Sequence, residues 1–275
     1  MWAVVDRREV WRHQRDTGWW KAAIADADTP ELTCIAAGGP GVLVGTAGAH
    51  LARVTGPIGP VDGTLQLDEE FDALAERATW YTPWGAPPDT RSIAVDGVAG
   101  ATLVNIHVGG VARRAGDEAW RALVDIDVDV HQIVVAPDGS YLVATGAAGF
   151  GRSTDGGSTW RWDADGMHGS YCRAVAVTGD GELVLLSSST GPGSSGSVAG
   201  AVYRRPLAST GDWERVTPMV DGNVDTGRLA GERDGGGKTA VFVTESGDVF
   251  TSADAGATWE PSPRPPAPVN AVALI

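Results

Sequence analysis

The sequence predicts an all-β protein, a six-bladed β-propeller, and three observations support this prediction. Two eight-residue segments, Ser153–Trp160 and Ser252–Trp259, share the pattern S-x-D-x-G-x-T-W, which indicates an internal repeat. Short runs rich in Val, Leu and Ala alternate with turns, and the chain contains 38 glycines among 275 residues. Tryptophans recur at intervals of about 40–50 residues, the length of a four-stranded propeller blade. These tryptophans are Trp80, Trp120, Trp160, Trp213 and Trp259.

The repeated segment predicts a tight turn between two strands. We expect its Asp side chain to accept hydrogen bonds from backbone N–H groups two or three residues further on. The Gly two positions after the Asp can adopt a positive φ without steric cost, and the Trp opens the next strand. A structural role is therefore expected for Asp155, Gly157, Trp160, Asp254, Gly256 and Trp259.

The repeated pattern resembles the Asp-box (BNR) repeat of β-propellers, which occurs in sialidase-like, sortilin-like and photosystem-assembly-factor-like proteins. This resemblance implies the propeller fold, but a propeller hosts many unrelated functions. Likeness to sialidases implies three arginines that hold a carboxylate, a Tyr/Glu nucleophile pair and an Asp acid. The Arg-Ile-Pro segment that usually supplies the first arginine is absent from this sequence.

Each blade is expected to contain four strands. Inner strands are predicted at 32–36, 91–95, 131–135, 173–177, 228–231 and 270–274. Second strands are predicted at 42–46, 102–106, 141–145, 182–186 and 239–244. A hydrophobic-x-Arg pattern marks the third strand, and a Trp marks the fourth.

The two ends of the chain are expected to complete one blade together. Residues 1–5, 9–12 and 16–20 predict its second, third and fourth strands, and residues 269–275 predict its inner strand. Such closure would remove the open sheet edges that promote aggregation. The prediction is a single domain spanning 1–275, with six blades, or seven if an irregular segment hides one.

Two insertions interrupt the period. Residues 55–70 replace the repeated turn of one blade and carry four acids, which predicts a solvated acidic loop. These acids are Asp62, Asp68, Glu69 and Glu70. The Ser- and Gly-rich residues 187–200 predict a flexible loop between a second and a third strand, serving as a spacer or a lid.

Composition limits the partners. The formal net charge of −14 argues against nucleic acid and anionic membranes, since both require a basic surface. The sequence shows no signal peptide and no apolar run of about 20 residues, so a soluble, cytoplasmic protein is expected. Cys34 and Cys172 fall in different repeats and are expected to be free thiols. No cofactor is expected.

A ligand site is expected at the channel mouth, where the inner strands begin. Aligning these strands places one residue of each blade there: Thr33, Arg91, His131, Arg173, Arg228 and Asn270. Arginine side chains suit a carboxylate, sulfate or phosphate. The alternative is that they pair with nearby acids, namely Asp89, Asp129, Asp225 or Glu232.

The loops that lead to the same mouth carry further candidates. Trp80, Tyr81 and Trp84 predict an aromatic platform for a sugar or another ring. Candidate catalytic residues are His107, His131, His168, Tyr171 and Glu245. No metal site is expected, because the five histidines lack short ligand spacing and the two cysteines lie in different repeats.

These residues leave three classes of function open. The first is a propeller that binds, and as an enzyme transforms, a small anionic or glycan-like molecule. Such an enzyme would be a hydrolase, lyase or cyclase acting on a carboxylate-bearing or sugar-like substrate. The second is a non-catalytic scaffold with a protein partner. The third is a sialidase-like glycoside hydrolase, which requires two suitably spaced carboxylates.

Overall fold

The structure is a computed structural model that describes residues 1–39, 41–56, 63–193, 196–232 and 236–274. The chain divides into two compact units, Met1–Asp129 and Val130–Ile275. Among the described residues, each unit contains three small antiparallel sheets and the chain has almost no helix. The six sheets are the blades of a six-bladed β-propeller, which confirms the predicted fold class.

The described residues of the first unit form eleven strands in three sheets. Its first sheet contains β1 (Trp2–Val5), β2 (Glu9–Gln14) and β3 (Gly18–Ile24). Its second contains β4 (Leu32–Gly38), β5 (Gly41–Thr46), β6 (Leu51–Thr55) and β7 (Thr64–Leu67). Its third contains β8 (Asp89–Asp96), β9 (Ala101–His107), β10 (Gly110–Ala115) and β11 (Arg121–Val124).

The second unit also forms three sheets. The first contains β12 (Val130–Val135), β13 (Tyr141–Thr145), β14 (Gly149–Ser153) and β15 (Arg161–Asp163). The next contains β16 (Val175–Thr178), β17 (Leu183–Ser189), β18 (Ala199–Pro206), β19 (Glu214–Arg215) and β20 (Val220–Asp221). The last contains β21 (Leu229–Gly231), β22 (Ala240–Val243), β23 (Val249–Ser252) and β24 (Glu260–Ser262).

The second strand of each complete sheet lies in the core. Strands β9, β13 and β17 are runs of apolar and small residues, and nearly all of their residues are buried. A strand that is buried on both faces shows such a run rather than strict alternation. Each fully buried Val or Leu contributes about 1.5–3 kcal/mol relative to an exposed one. These strands therefore supply much of the stability.

A buried ion pair lies in the core of the second unit. The Arg205 guanidinium makes two hydrogen bonds to the Asp163 carboxylate, of 3.0 and 3.1 Å. Both side chains are at most 7% exposed. The Trp213 indole N–H donates to the same carboxylate at 2.8 Å, and the Arg205 guanidinium lies 4.2 Å from the Trp213 ring centroid. The pair joins β18 to β15, strands of two adjacent sheets.

The two repeated segments form the same hydrogen-bonded turn. In the first, the Asp155 carboxylate accepts from the Thr159 backbone N–H at 2.9 Å and from the Thr159 hydroxyl at 2.6 Å. Asp254 accepts the same two bonds from Thr258, at 2.8 and 2.7 Å. The donors lie four residues after the Asp, not two or three as expected, because two consecutive positive-φ residues turn the backbone back.

The hydrogen bonds of this turn hold its carboxylate in the ionised form. They lower the pKa of Asp155 and of Asp254 to about 2, and the hydroxyls of Thr159 and Thr258 are the largest cause. Trp160 and Trp259 directly precede the fourth strands of their sheets. Their indole N–H groups donate to the carbonyls of Gly157 and Gly256, at 3.2 and 3.1 Å.

The predicted C-terminal strand is not observed. The sheet that contains β1 has three strands, and the described residues 263–274 form none. The Val272 N–H instead donates to the Gly227 carbonyl at 2.8 Å, beside β21. The preceding residues 261–268 contain five prolines, which lack the backbone donor that a strand ladder needs. The predicted strands at the N-terminus are confirmed as β1, β2 and β3.

The acidic insertion is partly folded. Asp68 caps the short helix α1 (Glu69–Asp72), and a 3-10 helix, Ala75–Thr79, follows it. Arg114 pairs with Asp68 at 2.8 Å and with Glu70 at 3.0 Å, so the loop is not simply solvated. Asp62 lies outside the described residues. Trp80 follows the 3-10 helix and does not open the fourth strand of its sheet, which is β7.

The serine-rich insertion is held at several points. Strand β17 extends to Ser189, and the Asn223 amide donates to the Gly193 carbonyl at 2.6 Å. Ser194 and Ser195 lie outside the described residues. Both cysteines are free, as predicted. No helix among the described residues is long and apolar enough to cross a membrane.

Candidate functional site

A tyrosine and a histidine meet in the second unit, where the inner strands begin. The hydroxyl of Tyr171 lies 3.3 Å from Nε2 of His131, and Nδ1 of His131 lies 2.7 Å from the carbonyl oxygen of Cys172. A carbonyl can only accept, so Nδ1 carries a proton. In the neutral ring, Nε2 is then the acceptor for the Tyr171 hydroxyl. The two side chains form a hydrogen-bonded pair with a defined direction.

Backbone hydrogen bonds position this pair. Tyr171 and Ser189 form an isolated antiparallel bridge, with N···O distances of 3.3 and 2.9 Å. The N–H of Cys172 donates to the Thr145 carbonyl at 2.9 Å, which fixes the carbonyl that binds His131. The His131 residue itself is fully buried on β12. The solvent-accessible group of the pair is therefore the partly exposed Tyr171.

Arg173 connects Tyr171 to two carboxylates. Its guanidinium lies 5.4 Å from the centroid of the Tyr171 ring. Its Nη1 lies 3.2 Å from Glu245 and 3.7 Å from Asp225, and its Nη2 donates to the Pro192 carbonyl at 3.0 Å. The sequence predicted that the Arg173 guanidinium would be available to bind an anion, or else would pair with a nearby acid. The structure shows the second arrangement, because Glu245 and Asp225 already lie next to Arg173.

Two atoms of this ion pair have no hydrogen-bond partner among the described residues. They are Oε2 of Glu245 and Nε of Arg173, and both are buried. The side chains as a whole are 17% and 14% exposed, so both are largely desolvated. Desolvation strengthens the attraction between the two charges and makes any unpaired polar atom costly.

A threonine that sequence reasoning missed ties the cluster together. The hydroxyl of Thr226 lies 3.1 Å from the backbone oxygens of both His131 and Arg173. The Thr226 N–H donates to the Asp225 carboxylate at 2.8 Å. Thr226 precedes β21, His131 lies on β12 and Arg173 precedes β16. The hydroxyl of Thr226 therefore links the backbones of these three parts of the second unit. A single Thr between Asp and Gly gave no sequence signal for this role.

Three other predicted site residues of the second unit lie beside or outside this cluster. The His168 ring contacts the Tyr203 hydroxyl at 2.8 Å and the Ala199 carbonyl at 3.0 Å, both on β18. The Arg228 guanidinium lies 3.4 Å from the Thr244 carbonyl. Asn270 is exposed in the C-terminal segment. Because Thr244 directly precedes Glu245, Arg228 borders the cluster, whereas His168 is bound to β18.

The first unit contains a polar group formed by Arg91, His107 and Asp129. Nη1 of Arg91 lies 2.9 Å from Nδ1 of His107, and Nε2 of His107 lies 3.7 Å from the Asp129 carboxylate. An arginine can only donate, so the His107 proton resides on Nε2 and faces Asp129. The ring of Trp84 lies 5.4 Å from the His107 ring and is 63% exposed. Tyr81 is 55% exposed on the same loop.

The other two candidates of the first unit have local contacts. The Thr33 hydroxyl donates to the Thr90 carbonyl. Trp80 packs against the core, and its ring centroid lies 5.9 Å from that of Phe71. The Arg77 guanidinium lies 5.4 Å from the Trp80 ring centroid. Trp80 is therefore part of a packed cluster, in contrast to the exposed Trp84.

No protein-family model matches the chain, and no curated protein matches it by sequence. Solved structures do match it by fold. A GH74 enzyme of Niastella koreensis is 17% identical with a TM-score of 0.66, and the match covers 94% of this chain and 43% of that enzyme. The chain thus spans less than half of that neighbour's length.

Two smaller structures match over most of both chains. A catalytically inactive virginiamycin B lyase of Staphylococcus aureus with quinupristin is 15% identical with a TM-score of 0.63, covering 95% of this chain and 83% of the lyase. A periplasmic gluconolactonase of Pseudomonas aeruginosa is 11% identical with a TM-score of 0.60, covering 93% and 76%. At these identities the likeness shows a shared fold.

Proposed function

We propose that the chain binds a small polar molecule beside Tyr171 and exchanges a proton with it through Tyr171 and His131. The observation that carries this proposal is the 3.3 Å contact between the Tyr171 hydroxyl and Nε2 of a ring whose Nδ1 is bound to a carbonyl. A histidine oriented in this way by a backbone acceptor is the usual form of a general base.

Three residues of the cluster act in this chemistry, namely Tyr171, His131 and Arg173. Tyr171 passes its proton to Nε2 of His131, and its oxygen then removes a proton from the bound molecule. The reverse transfer protonates a leaving group. Arg173, 5.4 Å from the Tyr171 ring, stabilises the negative charge that develops on the phenol oxygen. The chemistry fits a lyase or a hydrolase, classes that occur among the structural neighbours of the chain.

The local charge favours a neutral, glycan-like ligand over an anion. Arg173 contributes one positive charge, while Glu245 and Asp225 contribute two negative charges within 4 Å of it. An anion would have to displace Glu245 from Arg173 and approach Asp225. A ligand with hydroxyl groups offers both donors and acceptors to these side chains without that cost.

The two repeated turns support an assignment of the chain to the Asp-box propellers. Both carboxylates accept two bonds from a Thr four residues later, and both indole groups donate to the Gly of the pattern. The Asp and Trp side chains of both segments thus form hydrogen bonds within their own turns. We therefore assign them a structural role.

A second candidate function is recognition of a protein partner. Tyr81 and Trp84, which are 55% and 63% exposed, lie on one loop of the first unit. Exposed aromatic side chains of this kind are enriched in protein interfaces. This observation favours a scaffold with a peptide partner at that loop.

The proton-transfer proposal is tested with a panel of neutral saccharides, sugar lactones and the corresponding sugar acids. Ligand-observed NMR measures binding, and NMR spectra of the same ligands measure conversion. Tyr171→Phe should retain binding and lose conversion by at least about a hundredfold, the usual contribution of a general acid–base. Tyr81→Phe, which also removes a tyrosine hydroxyl, should convert ligand like the wild type. Full conversion by Tyr171→Phe would contradict the proposal.

A further inference from the structure

The second unit contains a cavity that shares no lining residue with the Tyr171 cluster. Its volume is about 470 Å³, within the range of about 300–1,000 Å³ that small-molecule sites occupy. Strands β12, β16 and β21 and the C-terminal residues 272–274 form its walls. Consecutive residues of β16 and of β21 line it, so these strands present an edge rather than a face to the cavity.

Each of these three strands is the terminal strand of its sheet. A terminal strand has backbone C=O and N–H groups along its free edge that its own sheet does not use. Gly231 allows β21 to approach β16 closely, because a Cβ there would lie 2.5 Å from the Val177 carbonyl oxygen. The cavity therefore combines apolar side chains with backbone polar groups.

The lining side chains are mostly apolar, and the described part of the lining carries one charge. Val134, Val272 and Leu274, which are partly exposed, contribute apolar surface, and Glu232 contributes the charge. The Glu232 carboxylate accepts from the Thr239 N–H at 2.9 Å, and this backbone bond lowers the pKa of Glu232. The carboxylate is therefore ionised at neutral pH and has no ion-pair partner among the described residues.

We propose that this cavity binds a small organic cation with an apolar body. The ammonium group would pair with Glu232 and donate its remaining protons to edge carbonyls, since an ammonium has three donors and no acceptor. The apolar body would contact Val134, Val272 and Leu274. An anion of the same shape is excluded by Glu232, and a neutral analogue lacks the ion pair.

The test compares three probes of matched shape in about 0.15 M salt, where long-range attraction to the acidic protein is screened. They are 2-phenylethylammonium, 2-phenylethanol and 3-phenylpropanoate. NMR titration of the wild type should show saturable binding of the cation, roughly two- to fivefold weaker binding of the alcohol and no binding of the anion. Equal affinity for the cation and the alcohol, or absence of saturable binding, overturns the proposal.

Variants locate the site. Glu232→Gln keeps an acceptor for Thr239 and should lower the affinity for the cation to that for the alcohol. Glu214→Gln removes the same charge from an exposed position and should change neither affinity. Ala230→Phe should fill the cavity and abolish binding of both probes. Unchanged binding of the cation by Glu232→Gln overturns the proposal.

A direct contact measurement covers the case in which Ala230→Phe fails to fold. In the wild type, the phenyl protons of the bound cation should show intermolecular NOEs to the methyl groups of Val134 and Leu274. NOEs to other methyl groups in their place contradict the assignment of the cavity.

Discussion

Nε2 of His131 and the hydroxyl of Tyr171 lie 3.3 Å apart, on a buried ring and a partly exposed one. The ring centroids are 4.9 Å apart. In the proposed function, His131 does not need to reach solvent to act on a ligand, because Tyr171 would carry the proton between them. The Arg173 guanidinium lies beside the Tyr171 ring, and the Thr226 hydroxyl binds the backbone oxygens of His131 and Arg173.

The repeated turn should make stability depend on pH in the acidic range. The pKa of Asp155 is lowered from 3.8 to about 2, so its contribution is present above pH 3.8 and is lost as the pH falls through about 2. Asp155→Asn should lower the Tm at neutral pH. The difference from the wild type should shrink between pH 3.8 and about 2. Thermal melts at several pH values measure this difference.

Asp117→Asn is the matched control for that experiment, because Asp117 is exposed and lies outside the repeated turns. Its Tm should follow the wild type at every pH. A difference between Asp155→Asn and the wild type that stays constant down to pH 2 would show that Asp155 does not stabilise the turn as a carboxylate.

The Arg205–Asp163 pair should be the most sensitive charged position of the second unit. Arg205→Met leaves the Asp163 carboxylate buried without its cation, which should lower the free energy of unfolding by about 3–5 kcal/mol. Urea denaturation measures this loss. Arg161→Met, at an exposed arginine, should change it by at most about 0.5 kcal/mol. Equal effects of the two substitutions would show that burial of the pair is not decisive.

Both thiols should be unreactive in the folded protein. Burial raises the pKa of Cys34 to about 12 and raises the pKa of Cys172 as well. The reactive thiolate is therefore scarce at pH 8. Mass spectrometry after iodoacetamide treatment should show no modification in native protein and two in urea. Rapid labelling of Cys172 in the native protein would contradict this expectation. It would show that the segment around Cys172, whose carbonyl binds His131, unfolds locally.

Removal of the C-terminal segment should be tolerated. Truncation after Pro268 removes the hydrogen bond between Val272 and Gly227 but no strand. We expect a soluble protein that unfolds cooperatively, with a loss of about 1 kcal/mol for that hydrogen bond. Differential scanning calorimetry tests this expectation. An insoluble truncated chain would show that residues 269–275 are needed to complete a blade.

Local sequence signals predicted the sheets and the turns. Asp155, Gly157 and Trp160 each act within a few residues of themselves, so their pattern predicted the turn, although the donors to Asp155 lie one residue further on than expected. The assumption that a Trp opens each fourth strand does not hold at Trp80, because an inserted helix separates it from β7. The terminal closure was predicted from repeat spacing, which does not account for the hydrogen bond that directs Val272 to Gly227.

The site was predicted as a set of residues but not as an arrangement. Glu245 lies 72 positions from Arg173 in the chain, and the Thr226 hydroxyl contacts a carbonyl 95 positions away. Such contacts depend on how the blades pack, and residue type alone does not determine them. The sequence left open whether the arginines pair with acids or with an anion, and in the structure Arg173 pairs with Glu245 and Asp225.

The central claim is that His131 presents an unprotonated Nε2 to the hydroxyl of Tyr171. The most direct measurement is the ¹⁵N NMR spectrum of the His131 ring at neutral pH, assigned by its loss in His131→Gln. We predict a protonated Nδ1, an unprotonated Nε2, and a change in the Nε2 resonance in Tyr171→Phe. A proton on Nε2 with an unprotonated Nδ1, or an Nε2 resonance unchanged in Tyr171→Phe, would contradict the account.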